Sequence, residues 1–191
     1  MSLVVAAHNG SEIVIASDSL STSTKTGVWA SDSSIQKVRQ IHSRLAFAVT
    51  GRYVSDKHPF FTNYVASIPD QTDLDAALDT LYDTAVATMR IHKTEGFRMS
   101  LIGFNGSEPG FRCVDVVDGK GFTGLGERTR NHWLSGEYDP VEHAIAMIEK
   151  SDIESKLSVE AIETTLRVIV VDCIERYPQT LGLPVNVLVL R

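Results

Sequence analysis

The chain of 191 residues contains only two cysteines, Cys113 and Cys173, which lie far apart and lack CxxC spacing. This scarcity is typical of reduced thiols in a cytoplasmic protein and argues against a disulfide framework or a zinc site. The six histidines show no HExxH or other ligand spacing, so no metal is expected. No cofactor is expected either, because Gly124-x-Gly126 lacks the third glycine of a dinucleotide-binding fingerprint.

Long apolar runs and an excess of positive charge are also absent. No run approaches the roughly 18 apolar residues that would predict a membrane helix, and the N-terminus lacks the basic segment and cleavage site of a secretory signal. The net charge of −6 does not favour nucleic-acid binding. With 43% hydrophobic and 22% charged residues, the composition is that of a soluble globular protein. We therefore expect a cytoplasmic protein, without membrane or nucleic-acid partners, that forms one domain over residues 1–191.

Hydrophobic periodicity predicts strands and helices in alternating blocks. The predicted strands are Leu3–Ala7, Ile13–Ala16, Ile35–Ile41, Leu45–Val49, Met99–Phe104, Phe111–Val117, a short strand ending at Gly124-Leu125-Gly126, and Leu183–Leu190. The predicted helices are Pro59–Ile68, Asp73–Lys93, Arg128–Leu134, Pro140–Lys150 and Val159–Arg176. The stretch Ser19–Gly27, rich in serine and threonine, is predicted to be a loop. Two packed sheets with helices outside would satisfy this order in an α+β fold.

The opening stretch SLVVAAHNGSEIVIASDS predicts a hairpin that brings a hydroxyl near a carboxylate. If residues 9–11 form the loop, His8 lies opposite Glu12 and Ser2 lies opposite Asp18. Opposed residues of an antiparallel pair have Cβ atoms roughly 5 Å apart. Because methionine aminopeptidases favour a small second residue, loss of Met1 would give Ser2 a free α-amine.

An α-amine has an ordinary pKa of about 8, so it can accept the Ser2 hydroxyl proton near neutral pH. This is the terminal-amine form of an activated nucleophile. Asp18 would orient the site, and a nearby cation would stabilise the developing oxyanion or keep the amine neutral. Taken singly, each residue has a simpler interpretation: Ser2 permits methionine removal, and Asp18 caps a turn.

The stretches SLVVAAHNGSEIVIASDS, SIQKVRQI and LAFAVTG resemble the N-terminal third of proteasome β-subunits and of the HslV (ClpQ) peptidase, in the Ntn-hydrolase superfamily. The bacterial proteasome-like Anbu proteins and the β-proteobacterial homologue are similar in the same places. The resemblance implies a four-layer αββα sandwich of two mainly antiparallel sheets flanked by helices. It also implies a self-compartmentalising homo-oligomer, in ring or lock-washer form.

The resemblance assigns catalytic roles to several residues of this chain. The nucleophile is Ser2, Asp18 is the acidic residue sixteen positions later, and Lys37 in Lys37-Val38-Arg39-Gln40-Ile41 is the cation, although alone it would pass for a surface lysine. The N–H of Ala48 is the expected oxyanion donor. Asp172 corresponds to an acidic residue late in the last long helix, or is a helix residue with a local partner.

Two positions depart from the family pattern. Gly124-Leu125-Gly126 falls where the family has Gly-Ser-Gly, which places the family serine that assists the amine near Glu127. A second family serine has no counterpart near Glu175. Three functions stay open. The first is a threonine-type peptidase that uses serine to cleave peptides or unfolded proteins, with a possible AAA+ ATPase partner. The others are a non-catalytic shell subunit that keeps Met1 and an Ntn amidase that acts on a small molecule.

Overall fold

The computed structural model describes residues 2–23, 30–32, 36–51, 68, 73–92, 97–117, 120–125, 131–136, 138–156 and 158–191. The strands are β1 Leu3–His8, β2 Ile13–Ser17, β3 Ser21–Ser23, β4 Ala30–Asp32, β5 Val38–His42, β6 Leu45–Gly51, β7 Phe97–Asn105, β8 Glu108–Val117, β9 Lys120–Leu125, β10 His132–Gly136 and β11 Asn186–Leu190. The helices are α1 Leu74–His92, α2 Tyr138–Ser151 and α3 Val159–Arg176, with a 3₁₀ turn at Ile153–Ser155. In these ranges, no helix is long and apolar enough to cross a membrane.

Two antiparallel sheets organise the described strands. One has four strands in the order β10-β1-β2-β11, and the other has five in the order β5-β6-β7-β8-β9. Strands β3 and β4 form a separate two-stranded ribbon. Strand β1, which begins beside Ser2, is therefore interior to its sheet, with β10 on one side and β2 on the other.

Alternation along the strands separates the core into three layers. On β1, Leu3 and Val5 pack with residues of α2 and α3, whereas Val4 and Ala6 pack with residues of the five-stranded sheet. This is the pattern expected of a strand buried on both faces. A third cluster lies between the five-stranded sheet and α1. The order of layers is thus helix, sheet, sheet, helices, which confirms the predicted αββα fold.

Helix α1 uses its apolar stripe within the protein itself. Leu74, Ala77 and Leu81 are fully buried against the five-stranded sheet, and Leu78 packs at the edge of the same cluster. The stripe continues to Met89, but the side chains of 84–92 lie outside the described residues.

The register of the opening hairpin differs by one residue from the prediction. His8 lies opposite Ile13, and the Asp18 N–H donates to the Leu3 carbonyl at 3.3 Å. The turn spans residues 9–12, one residue more than expected, and within it the Asn9 carboxamide oxygen accepts the N–H groups of Ser11 and Glu12 at 3.0 and 2.9 Å. Such local side-chain bonds to the backbone define tight turns. Asp18 is therefore opposite Leu3.

Two other predictions were wrong. The helix expected over Arg128–Leu134 is replaced, from His132 onward, by strand β10, which pairs with β1. Its alternation runs over too few residues to distinguish a strand from a helix. The loop expected over Ser19–Gly27 contains β3, since pairing with a later strand overrides local composition. The helix predicted over Pro59–Ile68 lies outside the described residues except for Ile68, which is buried.

Candidate active site

A buried ion pair lies at the end of the opening hairpin. The Lys37 Nζ atom lies 2.7 Å from each carboxylate oxygen of Asp18. The side chain of Asp18 is fully buried, and that of Lys37 is 5% exposed. A pair so thoroughly removed from water is costly to form unless the remaining hydrogen-bonding capacity is also satisfied.

Backbone N–H groups satisfy the rest of the Asp18 carboxylate. Oδ1 accepts from Leu3 N at 2.8 Å, while Oδ2 accepts from Leu20 N at 3.1 Å and from Gly182 N at 3.3 Å. Strand β2 ends at Ser17, directly before Asp18. If the strand continued, the backbone carbonyl of Asp18 would accept the Leu3 N–H, and here the Asp18 side chain accepts it instead. The carboxylate therefore has donors from three separate parts of the chain.

Burial lowers the pKa of Lys37 below its ordinary value of 10.5, and the nearby Asp18 carboxylate opposes part of that effect. The direction follows from the loss of water around the ammonium group. Lysines with a lowered pKa in a buried, charge-paired setting occur preferentially at functional sites, although structural ion pairs show the same behaviour. The site thus holds a cation whose charge depends on its contact with Asp18.

Ser2 is buried directly beside this pair. Asp18 Oδ1 binds both the Lys37 ammonium and Leu3 N, so the ammonium lies within two hydrogen-bond lengths of the Ser2–Leu3 peptide. On the other side, Gly136 approaches so closely that a Cβ there would collide with the Ser2 carbonyl oxygen. The structure therefore groups Ser2, Asp18 and Lys37. Met1 lies outside the described residues.

Ala48 lies in the middle of β6, in register with Ser100 of β7. Val49 N donates to the Lys37 carbonyl at 3.2 Å, toward β5. Because alternate N–H groups of a strand point to opposite neighbours, the Ala48 N–H points toward β7, within the ladder. By the same alternation, the N–H of Gly51, two residues after Val49, points to the same side as the Val49 N–H, which is the side of β5. Gly51 lies past the point where β5 begins.

A buried hydroxyl pair joins the two sheets near the same strand ends. The Oγ1 atom of Thr50 lies 2.7 Å from the Oγ atom of Ser135. Ser135 precedes Gly136 on β10, and β10 is the strand directly before α2. Leu125, by contrast, ends β9 in the other sheet. Among the described strands, the one directly before a helix thus ends at Ser135-Gly136, while Glu127, near which the resemblance placed a serine, lies outside the described residues.

Asp172 lies on the side of α3 that faces α2. Its carboxylate Oδ2 is 2.6 Å from His143 Nε2, and its side chain is 48% exposed. This local partner is the simpler of the two interpretations that the sequence left open. After α3, the segment that returns to Asp18 is 177–184, which contains no carboxylate. Glu175 is exposed on α3.

Sequence reasoning missed the contribution of two distant backbone segments. Gly182 and Ser135 come from opposite ends of the C-terminal half, and only tertiary pairing brings them to β1 and β2. A sequence signal existed for Ser135, because Leu134-Ser135-Gly136 stands immediately before a well-capped helical pattern. None existed for Gly182, since its role depends on its N–H rather than on a side chain.

Comparison with known proteins supports the fold. No protein-family model matches the chain, and neither does any curated protein. A solved structure, described as Thiobacillus denitrificans BPH in complex with epoxomicin, is similar to it with a TM-score of 0.64. The two chains are 19% identical, and the match covers 99% of this chain and 98% of that one. At this identity the likeness shows a shared fold, as the resemblance to proteasome-like proteins implied.

Proposed function

We propose that this protein is an N-terminal-nucleophile hydrolase, a peptidase of the proteasome type that uses Ser2 after removal of Met1. One observation carries the proposal: the buried Lys37–Asp18 pair is joined to the Ser2–Leu3 peptide through a shared carboxylate oxygen. The fold shared with the epoxomicin-bound BPH structure supports it.

In the proposed reaction, the Ser2 hydroxyl oxygen attacks the carbonyl carbon of a peptide bond, and the α-amine of Ser2 takes the hydroxyl proton. The C–N bond of the substrate breaks, and the leaving amine departs with that proton. An ester then links Ser2 to the acyl half of the substrate. Water, deprotonated by the same amine, hydrolyses the ester and restores the serine.

Lys37 and Asp18 have distinct roles in this proposal. The Lys37 ammonium places positive charge beside Ser2, which favours a neutral amine and an anionic transition state. Asp18 holds the ammonium by both oxygens and, through Leu3 N, fixes the backbone that carries the nucleophile. Ser135, which lies opposite Val4 on the neighbouring strand, would support the amine with its hydroxyl.

The oxyanion donor in this proposal is the Gly51 N–H in place of the Ala48 N–H. The Ala48 N–H is directed into the ladder with β7, while that of Gly51 points to the side on which Lys37 lies. A glycine at this strand end also leaves room for a substrate to approach the backbone. Loss of such a donor typically costs on the order of 10²–10³ in rate.

We extend the proposal to substrates and partners. Peptides or unfolded proteins are the substrates, and copies of this chain form a homo-oligomer, ring or lock-washer, that encloses the sites. An AAA+ ATPase would deliver folded proteins to such an enclosure. An isolated, open site would instead favour a small-molecule amide. Comparing hydrolysis of a non-peptide amide with that of a denatured protein separates these two substrate classes.

The shell-subunit alternative draws on one observation. Asp172, the assigned late acidic residue, is bonded to His143, and the segment that reaches Asp18 has no carboxylate. A shell subunit would keep Met1 and need no such group. Intact mass of the protein isolated from its native host therefore separates the two: loss of Met1 favours the hydrolase, and retention on all chains favours the shell.

The experiment that tests the proposal is labelling with epoxomicin, followed by peptide mass mapping. We expect an adduct on the peptide that starts at Ser2. Ser2→Ala should abolish it, while Ser155→Ala, which removes an exposed hydroxyl on the 3₁₀ turn, should leave it unchanged. A folded, Met1-free wild-type protein that gains no adduct and hydrolyses neither peptide nor protein would refute the proposal.

A further inference from the structure

The turn between α3 and β11 is bonded to the segment that carries Asp18. Ser19 N donates to the Gly182 carbonyl at 2.9 Å, and Gly182 N donates to Asp18 Oδ2 at 3.3 Å. Ser19 Oγ donates to the Pro184 carbonyl at 2.5 Å and accepts from Asn186 Nδ2 at 2.7 Å. We call Ser19, Gly182, Pro184 and Asn186 the clasp.

The hydroxyl of Ser19 makes two hydrogen bonds in the clasp. It donates once and accepts once, and Ser19 is 1% exposed, so water does not compete for either bond. Removing one partner of a buried hydrogen bond leaves the other unsatisfied, which is the expensive case. Ser19 and Asn186 therefore determine where the Gly182 peptide lies relative to β2.

Among the described residues, Gly182 is the backbone donor to the carboxylate that does not belong to the hairpin segment. Leu3 N and Leu20 N are close to Asp18 in the β1–β2 region, whereas Gly182 is 164 positions away in sequence. A shift of the turn would withdraw this N–H from Oδ2, the oxygen that also binds Lys37 Nζ. Leu20 N would then be the remaining backbone donor to Oδ2 among the described residues, so the contact of this oxygen with the ammonium would be held less firmly.

We propose that Ser19 and Asn186 are positioning residues, which hold the Asp18 carboxylate against Lys37 through the Gly182 N–H. The catalytic meaning of this role rests on the proposed function, but the geometric claim does not. Neither residue touches the nucleophile. Their effect passes from the Ser19 hydroxyl to the Gly182 peptide and from there to Asp18.

The expected electrostatic effect has a definite sign. Within the described ranges, the carboxylate that binds Lys37 is that of Asp18. A free α-amine at Ser2 would be a second titratable group near Lys37. The turn segment 178–186 contributes no charged side chain. Weakening the carboxylate contact removes an influence that raises the pKa of Lys37, so the pKa should fall further. A role confined to folding would not move it.

The test is a pH titration of the Lys37 side chain, followed by NMR of ¹³C-labelled lysine, with Lys37→Arg used to assign the signal. Ser19→Ala and Asn186→Ala should lower the midpoint by on the order of one pH unit. Two matched controls should leave it unchanged: Ser151→Ala and Asn131→Ala, which remove partly buried bonds to the carbonyls of Ile148 and Ile153. Ser19→Thr keeps the hydroxyl and should restore the wild-type midpoint.

A second readout is the pH dependence of epoxomicin labelling. In Asn186→Ala its alkaline limb should move to lower pH in step with the titration. Unchanged midpoints in folded clasp variants would overturn the proposal, and so would an equal shift in the controls. If Ser19→Ala does not fold, Asn186→Ala and Ser19→Thr decide the question. If epoxomicin never labels the wild-type protein, the proposed function is refuted. The titration of Lys37 still tests whether Ser19 and Asn186 position the Asp18 carboxylate.

Discussion

The hydroxyls of Thr50 and Ser135 bond at 2.7 Å across the interface between the two sheets, with both residues buried. Thr50 belongs to the strand that ends at Gly51, and Ser135 belongs to the strand beside β1. This polar contact, next to a cluster of apolar side chains between the sheets, therefore ties the strand of the proposed oxyanion donor to the strand beside the proposed nucleophile.

The first prediction concerns that pair. Ser135→Ala should lower the free energy of unfolding by about 1–3 kcal/mol, because it leaves the Thr50 hydroxyl buried without its partner. Adding Thr50→Val should recover part of the loss, since both polar groups are then gone. Urea denaturation of the single and double variants measures this coupling. Strictly additive losses would show that the two hydroxyls do not interact.

A second prediction follows from the burial of Lys37. Lys37→Met should destabilise the protein by about 3–5 kcal/mol, because the Asp18 carboxylate is left buried without its counter-ion. The double variant Lys37→Met with Asp18→Asn should be more stable than Lys37→Met alone. Thermal unfolding at neutral pH provides the comparison. Both variants should also lose epoxomicin labelling of Ser2 at temperatures where circular dichroism shows them folded.

The third prediction is a pH dependence of stability. Burial lowers the pKa of Lys37 in the folded state below 10.5, so the folded protein binds fewer protons than the unfolded chain as pH approaches that value. Stability therefore rises with pH between the lowered pKa and 10.5, and the penalty for charging the buried lysine is fully present below that window. Urea denaturation from pH 7 to 10 should show a positive contribution that Lys37→Met lacks.

The fourth prediction separates the two cysteines. Burial raises the pKa of the Cys173 thiol to about 12, with a smaller contribution in the same direction from Asp172. Since the thiolate is the reactive form, Cys173 should resist iodoacetamide at pH 8, whereas the half-buried Cys113 should react. Mass spectrometry of the native protein should show one modification, and denaturant should expose the second. Rapid double modification of the native protein would contradict the burial of Cys173.

The fifth prediction concerns assembly. The exposed apolar residues Val168 and Val171 on α3 lie next to Leu183, with exposures of 57%, 36% and 59%. They offer an apolar surface for a second copy of the chain, which fits the proposed homo-oligomer. Val168→Asp should reduce the mass measured by light scattering, while Lys150→Asp on α2 should not. A wild-type protein that is monomeric at all concentrations would remove this part of the proposal.

The sequence predicted the fold where periodicity was long and unambiguous. Helix α3 was predicted with its bounds, since Ser158 accepts the Ala161 N–H as an N-cap and the apolar pattern runs over five turns. The strand His132–Gly136 was missed because five residues carry too little periodicity. Pairing with β1, which is distant in sequence, decides its conformation.

For the site, the sequence predicted which side chains lie together but not which backbone N–H groups face them. Ser2, Asp18 and Lys37 were chosen from spacing and resemblance, and the structure brings them together despite a register error of one residue. That error had little effect because the Asp18 side chain, rather than its strand position, reaches the Ser2–Leu3 peptide. Ala48 was chosen by counting along a motif, which does not reveal the direction of an N–H group. Strand alternation reveals it as soon as one hydrogen bond is known.

The place of β1 in its sheet bears on when the site can first exist during synthesis. A ribosome releases Ser2, Asp18 and Lys37 early, the strand that holds Gly136 emerges about a hundred residues after Lys37, and the donor at Gly182 emerges later still. Until Gly182 emerges, the carboxylate lacks one of its donors, and until β10 emerges, Ser2 lacks the strand that encloses it. The site that we propose for hydrolysis is thus assembled only after these later segments have folded against β1 and β2.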